Sequence, residues 1–438
     1  MENSQEIQKK QILLKNKFFK QIKDLKKNNI DISKSIFTFG CTWQPNTSFF
    51  NLQYLSYPNP LRFLKLTYYF FIDILFVATL KNFKVKLTKY ENNYKSLMLT
   101  WGGERDFDSK GNYHDKKFSS SNKSNEVLWY ILGHENLSNV KKANNATLNF
   151  NEKISFNIFF LIKKILSLLV KNNFSFRKAI HYCNFYSMFA ETLAENIYEC
   201  VKRCNIKNIS IPYEGQPFQD YLIKYLKKKN SKIRIIGYAH SSQPLPLHLI
   251  YKDNKIDKLV AHNQNQFFHL NKRLFWPKKK LLLQRSKKVR KLDKNKFVNK
   301  ITIPYGFESA RNILESIHYL INKKNLNLRK FEIRNHPLMR HSKKHAALIK
   351  KINEMKKNNY KIKKFSTNKT TIIVGPTSSA PEALQTVDDI YHIYEDSVTQ
   401  TYSSYFWPNI KVESVAESII KYSTNDRSKL FKIGRAHV

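Results

Sequence analysis

The 438-residue sequence contains only 4 cysteines and 10 glycines. Cys41, Cys183, Cys200 and Cys204 are too few and too scattered for a disulfide framework. Cys200 and Cys204 are four residues apart, but no second pair accompanies them to form a typical zinc site. We therefore expect structural thiols in a reducing compartment, which excludes the disulfide-rich secreted class.

Acidic residues are also scarce, with 33 Asp and Glu against 77 Lys and Arg, a formal net charge of +44. Such a charge favours anionic partners: nucleic acid, an anionic membrane surface or phosphorylated substrates. A second explanation stays open. Lys, Asn, Ile, Phe and Tyr have AT-rich codons and glycine does not, so an AT-rich genome would produce the same imbalance.

Long apolar runs are lacking. The longest candidate, residues 66–80, has 15 residues with Asp73 at its centre, which is short for a membrane span. We expect a buried helix there, with an interfacial helix as the alternative. Residues 156–170 are interrupted by Lys163 and Lys164 and are interpreted as amphipathic. The polar, lysine-rich N-terminus does not resemble a signal peptide, so we expect a cytoplasmic protein.

Several chemical motifs are missing: a Walker loop, GxGxxG, GxSxG, HExxH and paired CxxC. The pattern that is present is an alternation of apolar strands and amphipathic helices. It becomes regular from about residue 185 and starts again near residue 299, which is typical of parallel sheets in α/β domains. We predict two Rossmann-like doubly wound domains facing a cleft, the second with five strands.

The predicted organisation has five parts: a basic N-terminal helix (1–34), a first Rossmann-like domain (35–270), a basic interdomain linker (271–298), a second Rossmann-like domain (299–431) and a terminal segment (432–438). The linker region includes LLLQ (281–284) as a possible edge strand. Its dense basic charge would also suit a DNA-binding arm, but no recognition-helix or RNA-binding signature accompanies it. The last seven residues, KIGRAHV, resemble a translated sequencing-library adapter and are excluded from fold reasoning.

Ligands of open parallel sheets bind beyond the carboxyl ends of the strands, so polar residues just after each predicted strand are the candidates. In the first domain these are Glu104, Asp106, Asp108, Glu214, Gly215, Gln216, His240, Ser241 and Ser242. In the second domain they are Tyr305, Gly306, His336, Pro337, Thr377, Ser378, Ser379 and Glu382.

Each candidate has a chemical rationale and a structural alternative. Glu214 could be a general base, or a helix-capping or salt-bridged carboxylate. Gly215 would let a substrate approach the backbone. His336 could donate to a phosphate oxygen or act as an acid, or simply end its strand. Glu104, Asp106 and Asp108 could touch an acceptor or act as an alternative base, or they could be solvated loop carboxylates.

The segment GPTSSAPEAL (375–384) is the sharpest local feature. Ser378 or Ser379 can cap a helix, with Glu382 as the capping-box partner of Ser379. The free N–H groups of the helix N-terminus would then face the cleft and suit a phosphate. A plain capped helix is the alternative.

These motifs resemble those of the GT-B glycosyltransferases. RNHP (334–337) resembles the HP motif of bacterial sialyltransferases and polysialyltransferases, and PTSSAPEAL (376–384) resembles their serine motif. YEG (213–215) stands where those enzymes have an acidic pair and a glycine, with Tyr213 in the first acidic position. YEGQPFQ and IGYAHSS also resemble segments of bacterial surface-carbohydrate (O-antigen or capsule) biosynthesis proteins.

The resemblance implies an inverting, metal-independent transferase of surface polysaccharide or lipopolysaccharide biosynthesis that needs no cofactor. The donor would be a nucleotide-activated sugar, perhaps a CMP-linked nonulosonic or Kdo-type sugar, and the acceptor a glycan or lipid-linked glycan. Glu214 would be the base, His336 the phosphate partner or acid, and Ser378 and Ser379 the phosphate cradle. The basic surface would hold the enzyme on the inner face of the cell membrane. Two alternatives stay open: a non-catalytic GT-B-like assembly protein and a basic nucleic-acid-binding protein.

Overall fold

The computed structural model describes most of both predicted domains. The described residues are 3–27, 85–86, 94–114, 126–133, 146–149, 162, 166–167, 169–170, 185–239, 242–252, 255–284, 299–336, 339, 341–358, 369–376 and 378–424. The helix expected at 66–80, most of 156–170, the linker beyond residue 284 and the segment 432–438 lie outside them.

Within the described residues the first sheet has eight strands, in the order β1-β4-β3-β2-β5-β6-β7-β8. All neighbours are parallel except the edge pair β1 and β4. The strands are β1 (Val85–Lys86), β2 (Ser96–Gly102), β3 (Val127–Gly133), β4 (Ala146–Asn149), β5 (Asn208–Pro212), β6 (Arg234–Tyr238), β7 (Lys258–Ala261) and β8 (Leu281–Leu283). The predicted edge strand at 281–284 is confirmed as β8, and the sheet therefore continues past residue 270.

The second sheet, again counting only what the structure describes, has six strands in the order β10-β9-β11-β12-β14-β13. The first four in this order are parallel, and β13 and β14 form an antiparallel hairpin at one edge. The strands are β9 (Asn299–Thr302), β10 (Phe331–Arg334), β11 (Thr370–Val374), β12 (Asp389–Ile393), β13 (Lys411–Ala416) and β14 (Ile419–Ser423). The α/β class is confirmed; the terminal hairpin was not predicted.

Helices connect the parallel strands. They are α1 (Ser4–Lys27), α2 (Phe185–Arg203), α3 (Pro217–Lys229), α4 (Gln264–Phe268), α5 (Ala310–Lys324), α6 (Lys343–Asn358), α7 (Ala380–Ala383) and α8 (Ser397–Gln400). The amphipathic spacing of α5 places Ile313, Ile317 and Leu320 in the core on one side of the second sheet. No helix in the described part of the chain is both long and apolar enough to cross a membrane.

One of the hydrophobic clusters among the described residues spans both sheets. The segment 401–410 leaves the second sheet and packs on the first domain, where Trp407 is fully buried in the same cluster as residues of β5 and β6. The Trp407 Nε1 group donates to the carbonyl oxygen of Pro244 over 3.1 Å, and the Tyr402 hydroxyl donates to that of Ser242 over 2.7 Å. Ser242 and Pro244 follow β6, and Tyr402 follows β12. Loops beyond the carboxyl ends of both sheets therefore meet, as expected for domains that face each other.

Helix α1 crosses this boundary. The Gln11 side chain donates to the carbonyl oxygens of Val398 and Thr401, at 2.9 and 2.7 Å. The ring of Phe19 packs on that of Phe275 in the first domain, with centroids 4.5 Å apart. The predicted basic N-terminal helix is thus present, and its inner face joins the two domains.

Candidate active site

Each sheet has a topological switch point, where the order of strands reverses. In the second sheet β9 lies between β10 and β11, so the loops after β9 and β11 diverge to opposite sides and leave a crevice. Tyr305 and Gly306 follow β9, and Gly375 follows β11. A Cβ atom on Gly375 would lie 3.1 Å from Cγ of Pro304, so the two loops are in contact. The structure thereby brings together candidates that are 70 residues apart in the chain.

Tyr305 and His336 form the side of this crevice. Their rings meet edge to face, with centroids 5.5 Å apart, and 55% of Tyr305 is exposed. Partial burial, with a smaller contribution from nearby His345, lowers the pKa of His336. At neutral pH the imidazole is therefore uncharged, and it can donate one N–H to a ligand oxygen. Pro337 lies outside the described residues.

Two buried histidines, which the sequence analysis did not single out, support the two loops. His345 of α6 contacts the carbonyl oxygen of Pro304 through Nε2 at 3.0 Å and the Ser342 hydroxyl through Nδ1. His392 of β12 contacts the carbonyl oxygen of Gly375 through Nε2 at 2.8 Å and the Tyr422 hydroxyl through Nδ1 at 2.9 Å. A carbonyl oxygen can only accept, so each Nε2 carries the proton. In sequence these histidines have no motif, and only their burial reveals the role.

The serine segment is less regular than predicted. Ser379 occupies the N-cap position of α7 but makes no side-chain capping bond, so the predicted capping box with Glu382 is wrong. Its backbone is in the helical region, whereas an N-cap that bonds the first turn has extended backbone. Helix α7 has only four residues. Ser378 is exposed and Ser379 half-buried beside the crevice, and Thr377 lies outside the described residues.

The switch point of the first sheet lies between β2 and β5. Glu214 follows β5 and is 8% exposed. Its Oε2 atom accepts from the Gln216 side chain at 2.8 Å, and its backbone N–H donates to Oε1 of Gln219 at 2.9 Å. Gln219 also donates to the carbonyl oxygen of Pro212. The first turn of α3 thus fixes the turn that carries Glu214.

Beneath this turn lies a buried polar network. The Tyr213 hydroxyl donates to Oδ1 of Asp220 over 2.6 Å, and Lys252 Nζ lies 3.3 Å from Oδ2 of the same carboxylate. Lys252 also donates to the carbonyl oxygen of Gly215 over 2.7 Å. Tyr213 stands where the sialyltransferase motif has its first acidic residue. Here its hydroxyl group is bound to Asp220 and so has a structural role. Lys252 is one of many lysines in the sequence, and nothing there separates it from the others.

Gly215 has a left-handed backbone, with φ of +68°, and a Cβ atom there would lie 2.1 Å from the carbonyl oxygen of His248. Glycine is thus required for packing and backbone conformation at this position. Access of a substrate to its backbone stays a prediction. Gln216, the N-cap of α3, is half-buried and holds the Glu214 carboxylate. His240 and Ser241 lie outside the described residues.

The acidic loop after β2 is an ordered turn. Asp106 accepts from the backbone N–H of Gly103 at 3.0 Å, and Asp108 accepts from the N–H groups of Lys110 and Asn112 and from His114. The His114 hydrogen bond is the main cause that lowers the pKa of Asp108, followed by the bond from Asn112. Glu104 is exposed at the mouth of β2. Of the three candidates here, Asp106 and Asp108 shape the loop and Glu104 is exposed to solvent.

The end of strand β2 packs against helix α3, next to the Glu214 turn, through aromatic side chains. Trp101 meets Phe218 of α3 edge to face, with centroids 6.4 Å apart. Glu104 and Glu214 therefore stand on the two sides of the same switch point. Among the described residues, no cluster of three or more His, Cys, Asp or Glu side chains has the arrangement of a metal site.

Comparison with known proteins gives little further information. No family model matches the sequence, and no curated protein matches it. A glycosyltransferase structure from Rickettsia africae ESF-5 aligns with 71% of this chain and 86% of its own, at 11% identity and a TM-score of 0.31. Agreement at this level carries no argument about activity.

Proposed function

We propose that the protein is a glycosyltransferase that transfers a sugar from a nucleotide-activated donor to a hydroxyl group of an acceptor. The observation that carries the proposal is the pair of switch points on two facing domains. One presents carboxylates, and the other presents an exposed tyrosine, a neutral histidine and serines. Carboxylates in one Rossmann-like domain and phosphate-binding donors in the other suit a reaction between two bound substrates.

The second domain would bind the donor. The exposed Tyr305 ring can stack on a nucleobase, and the His336 N–H can donate to a phosphate oxygen of the leaving group. Ser378 and Ser379 add hydroxyl donors beside Gly306 and Gly375. Hydrogen bonds to the phosphate strengthen as its negative charge develops in the transition state. The donor is proposed to be CMP-linked, in line with the resemblance of RNHP and the serine segment.

The first domain would bind the acceptor and supply the base. The Glu214 carboxylate would take the proton from the acceptor hydroxyl as its oxygen attacks the anomeric carbon. The bond from that carbon to the phosphate oxygen breaks at the same time, and the nucleotide leaves with the electron pair. A single displacement inverts the anomeric configuration. Glu104, across the switch point, is the alternative base, and Gln216 would orient Glu214.

The acceptor is proposed to be a glycan or a lipid-linked glycan of surface polysaccharide biosynthesis. This step rests on the resemblance of YEGQPFQ and IGYAHSS to surface-carbohydrate biosynthesis proteins. A lipid-linked acceptor would place the reaction at a membrane surface.

Thermal unfolding in the presence of CMP, UDP, GDP or ADP tests the donor site. A nucleotide at ~100 times its dissociation constant adds about 2.7 kcal/mol of stability to the folded state. We expect CMP to stabilise the wild type and Glu214→Gln, but not His336→Ala. Stabilisation by UDP or GDP instead would indicate a donor linked to that nucleotide. The absence of any nucleotide effect would contradict the proposal.

A second candidate is a non-catalytic protein of polysaccharide assembly with the same fold. The bonding of Tyr213 to Asp220, in a position where the similar enzymes carry an acidic residue, favours it. This candidate predicts nucleotide binding without turnover. Slow release of the nucleotide from its sugar donor, lost in Glu214→Gln, would exclude it.

A further inference from the structure

We infer that the outer face of α1 is a docking surface for an anionic lipid bilayer. This inference does not depend on the transferase proposal, although it fits a lipid-linked acceptor. The face consists of Lys9, Lys10, Lys17, Lys20, Lys23 and Lys27, with Leu13 among them.

The density of basic charge on α1 exceeds the average of the whole chain. The helix carries 8 lysines and 2 acidic residues in 24 positions, whereas the whole chain has 77 basic residues in 438. Helical geometry of 100° per residue places Lys9, Lys10, Lys17, Lys20 and Lys27 within about 60° of Leu13. The same geometry places Glu6 and Asp24 within about 20° of Leu13, so both acids lie on this stripe, and its net charge is positive because the five lysines outnumber them.

The orientation of α1 is fixed by its inner face. Ile7, Phe18 and Ile22 are buried in the hydrophobic cluster that spans both sheets, and Gln11 binds the carbonyl oxygens of Val398 and Thr401. Lys15, the buried lysine of the helix, donates to the Tyr405 hydroxyl over 2.6 Å. The remaining lysines therefore point outward on a helix that cannot rotate, and they form a fixed surface.

Two apolar side chains stand within or beside this basic surface. Leu13 is 56% exposed at its centre, and Phe275, which packs on Phe19, is 43% exposed at its edge. Large apolar side chains are costly in water but suit the boundary between headgroups and acyl chains. Lysines around them attract anionic headgroups, each by about 1 kcal/mol near the surface. A nucleic acid would also bind the lysines, but Leu13 would not contribute to that binding.

Sedimentation of the full chain with phosphatidylglycerol-containing vesicles tests the inference. The test variant changes Lys9, Lys10, Lys17 and Lys20 to Glu. The matched control changes Lys202, Lys207, Lys228 and Lys232, which are exposed on the segment from α2 to β6, so the net charge falls equally. Far-UV circular dichroism and thermal unfolding establish that both variants are folded.

We expect the wild type to bind these vesicles but not pure phosphatidylcholine vesicles, with affinity that falls as salt increases. The α1 variant should bind more than about 100-fold more weakly, since four favourable charges are reversed. The control should lose much less. Leu13→Ser, which alters no charge, should reduce binding measurably.

Three results would overturn the inference. Equal losses in the α1 variant and its control would show attraction by overall charge. Full binding by the α1 variant would place the contact elsewhere. Single-stranded RNA or DNA that binds more tightly than the vesicles, in a manner that depends on the α1 lysines and not on Leu13, would assign the face to nucleic acid.

Discussion

The ammonium group of Lys252 lies 2.7 Å from the carbonyl oxygen of Gly215 and 3.3 Å from the carboxylate of Asp220. Both charged side chains are almost completely buried. Removal of the lysine charge leaves Asp220 buried without its ion partner, so Lys252→Met should lower the free energy of unfolding by about 3–5 kcal/mol. Urea unfolding followed by tryptophan fluorescence measures this loss.

The pair Lys227 and Asp257 is the control for that prediction. It has a similar contact of 2.7 Å, but 37% of the Asp257 side chain is exposed. Water solvates the remaining carboxylate, so Lys227→Met should cost about 1 kcal/mol or less. Equal effects of the two substitutions would mean that burial of the Lys252 pair does not determine its contribution.

Gly215→Ala should be strongly destabilising. The new Cβ would lie 2.1 Å from the carbonyl oxygen of His248, at a backbone φ of +68°. Left-handed strain and overpacking each cost about 1–3 kcal/mol, so a loss of about 3 kcal/mol or more is expected. At Gly306 a Cβ has no atom within 4 Å, and Gly306→Ala should change stability by about 0.5 kcal/mol or less. Thermal unfolding compares the two, and a stable Gly215→Ala variant would refute the packing argument.

The sequence predicted the parallel sheets because short apolar runs alternate with amphipathic helices. The runs TTIIV and DIYHI became β11 and β12, every residue of which is buried. Polar residues after such runs had to lie at the carboxyl edge of a sheet. The selection of Tyr305, His336 and Glu214 as candidates followed from that geometry alone.

The strand order and the buried network could not be predicted. Strand β9 lies beside β11 and not only beside β10, and this order brings Tyr305 to Gly375. Lys252 and Asp220 are 32 residues apart, and their contact depends on tertiary packing. His392 lies in β12, and its hydrogen bond to the carbonyl oxygen of Gly375 depends on the pairing of β11 with β12. The capping box failed because the backbone of Ser379 is in the helical region and not in the extended region.

Acid should destabilise the protein through His392. Burial lowers the pKa of His392 to about 4, against about 6.5 in an unfolded chain. The unfolded state then binds more protons than the folded state between these values. Above about pH 6.5 the neutral histidine makes its full contribution to the free energy of unfolding. This contribution falls by roughly 3 kcal/mol in all as the pH falls toward 4. Burial lowers the pKa of His269 to about 3, which adds to the same trend.

His392→Gln tests that account. A glutamine amide can still donate to the carbonyl oxygen of Gly375 and accept from Tyr422, but it does not titrate. Urea unfolding from pH 8 to pH 4 should show a shallower loss of stability in this variant than in the wild type. His341→Gln, at an exposed position, should keep the wild-type slope. An unchanged slope in His392→Gln would assign the acid sensitivity to other groups.

Tyr305 should contribute to nucleotide affinity without contributing to stability. Its ring is 55% exposed and meets His336 edge to face, so one face of the ring is accessible to a ligand. Stacking of a base on an aromatic ring is worth about 1–3 kcal/mol, so Tyr305→Ala should weaken binding of the preferred nucleotide by roughly 5- to 150-fold. Tyr305→Phe keeps the ring and should retain most of the affinity. Isothermal titration calorimetry measures both, and thermal unfolding without ligand should give the wild-type midpoint for each. A Tyr305→Ala variant that binds the nucleotide as tightly as the wild type would mean that the nucleobase binds elsewhere. His336 would then be the group that connects the donor to this crevice.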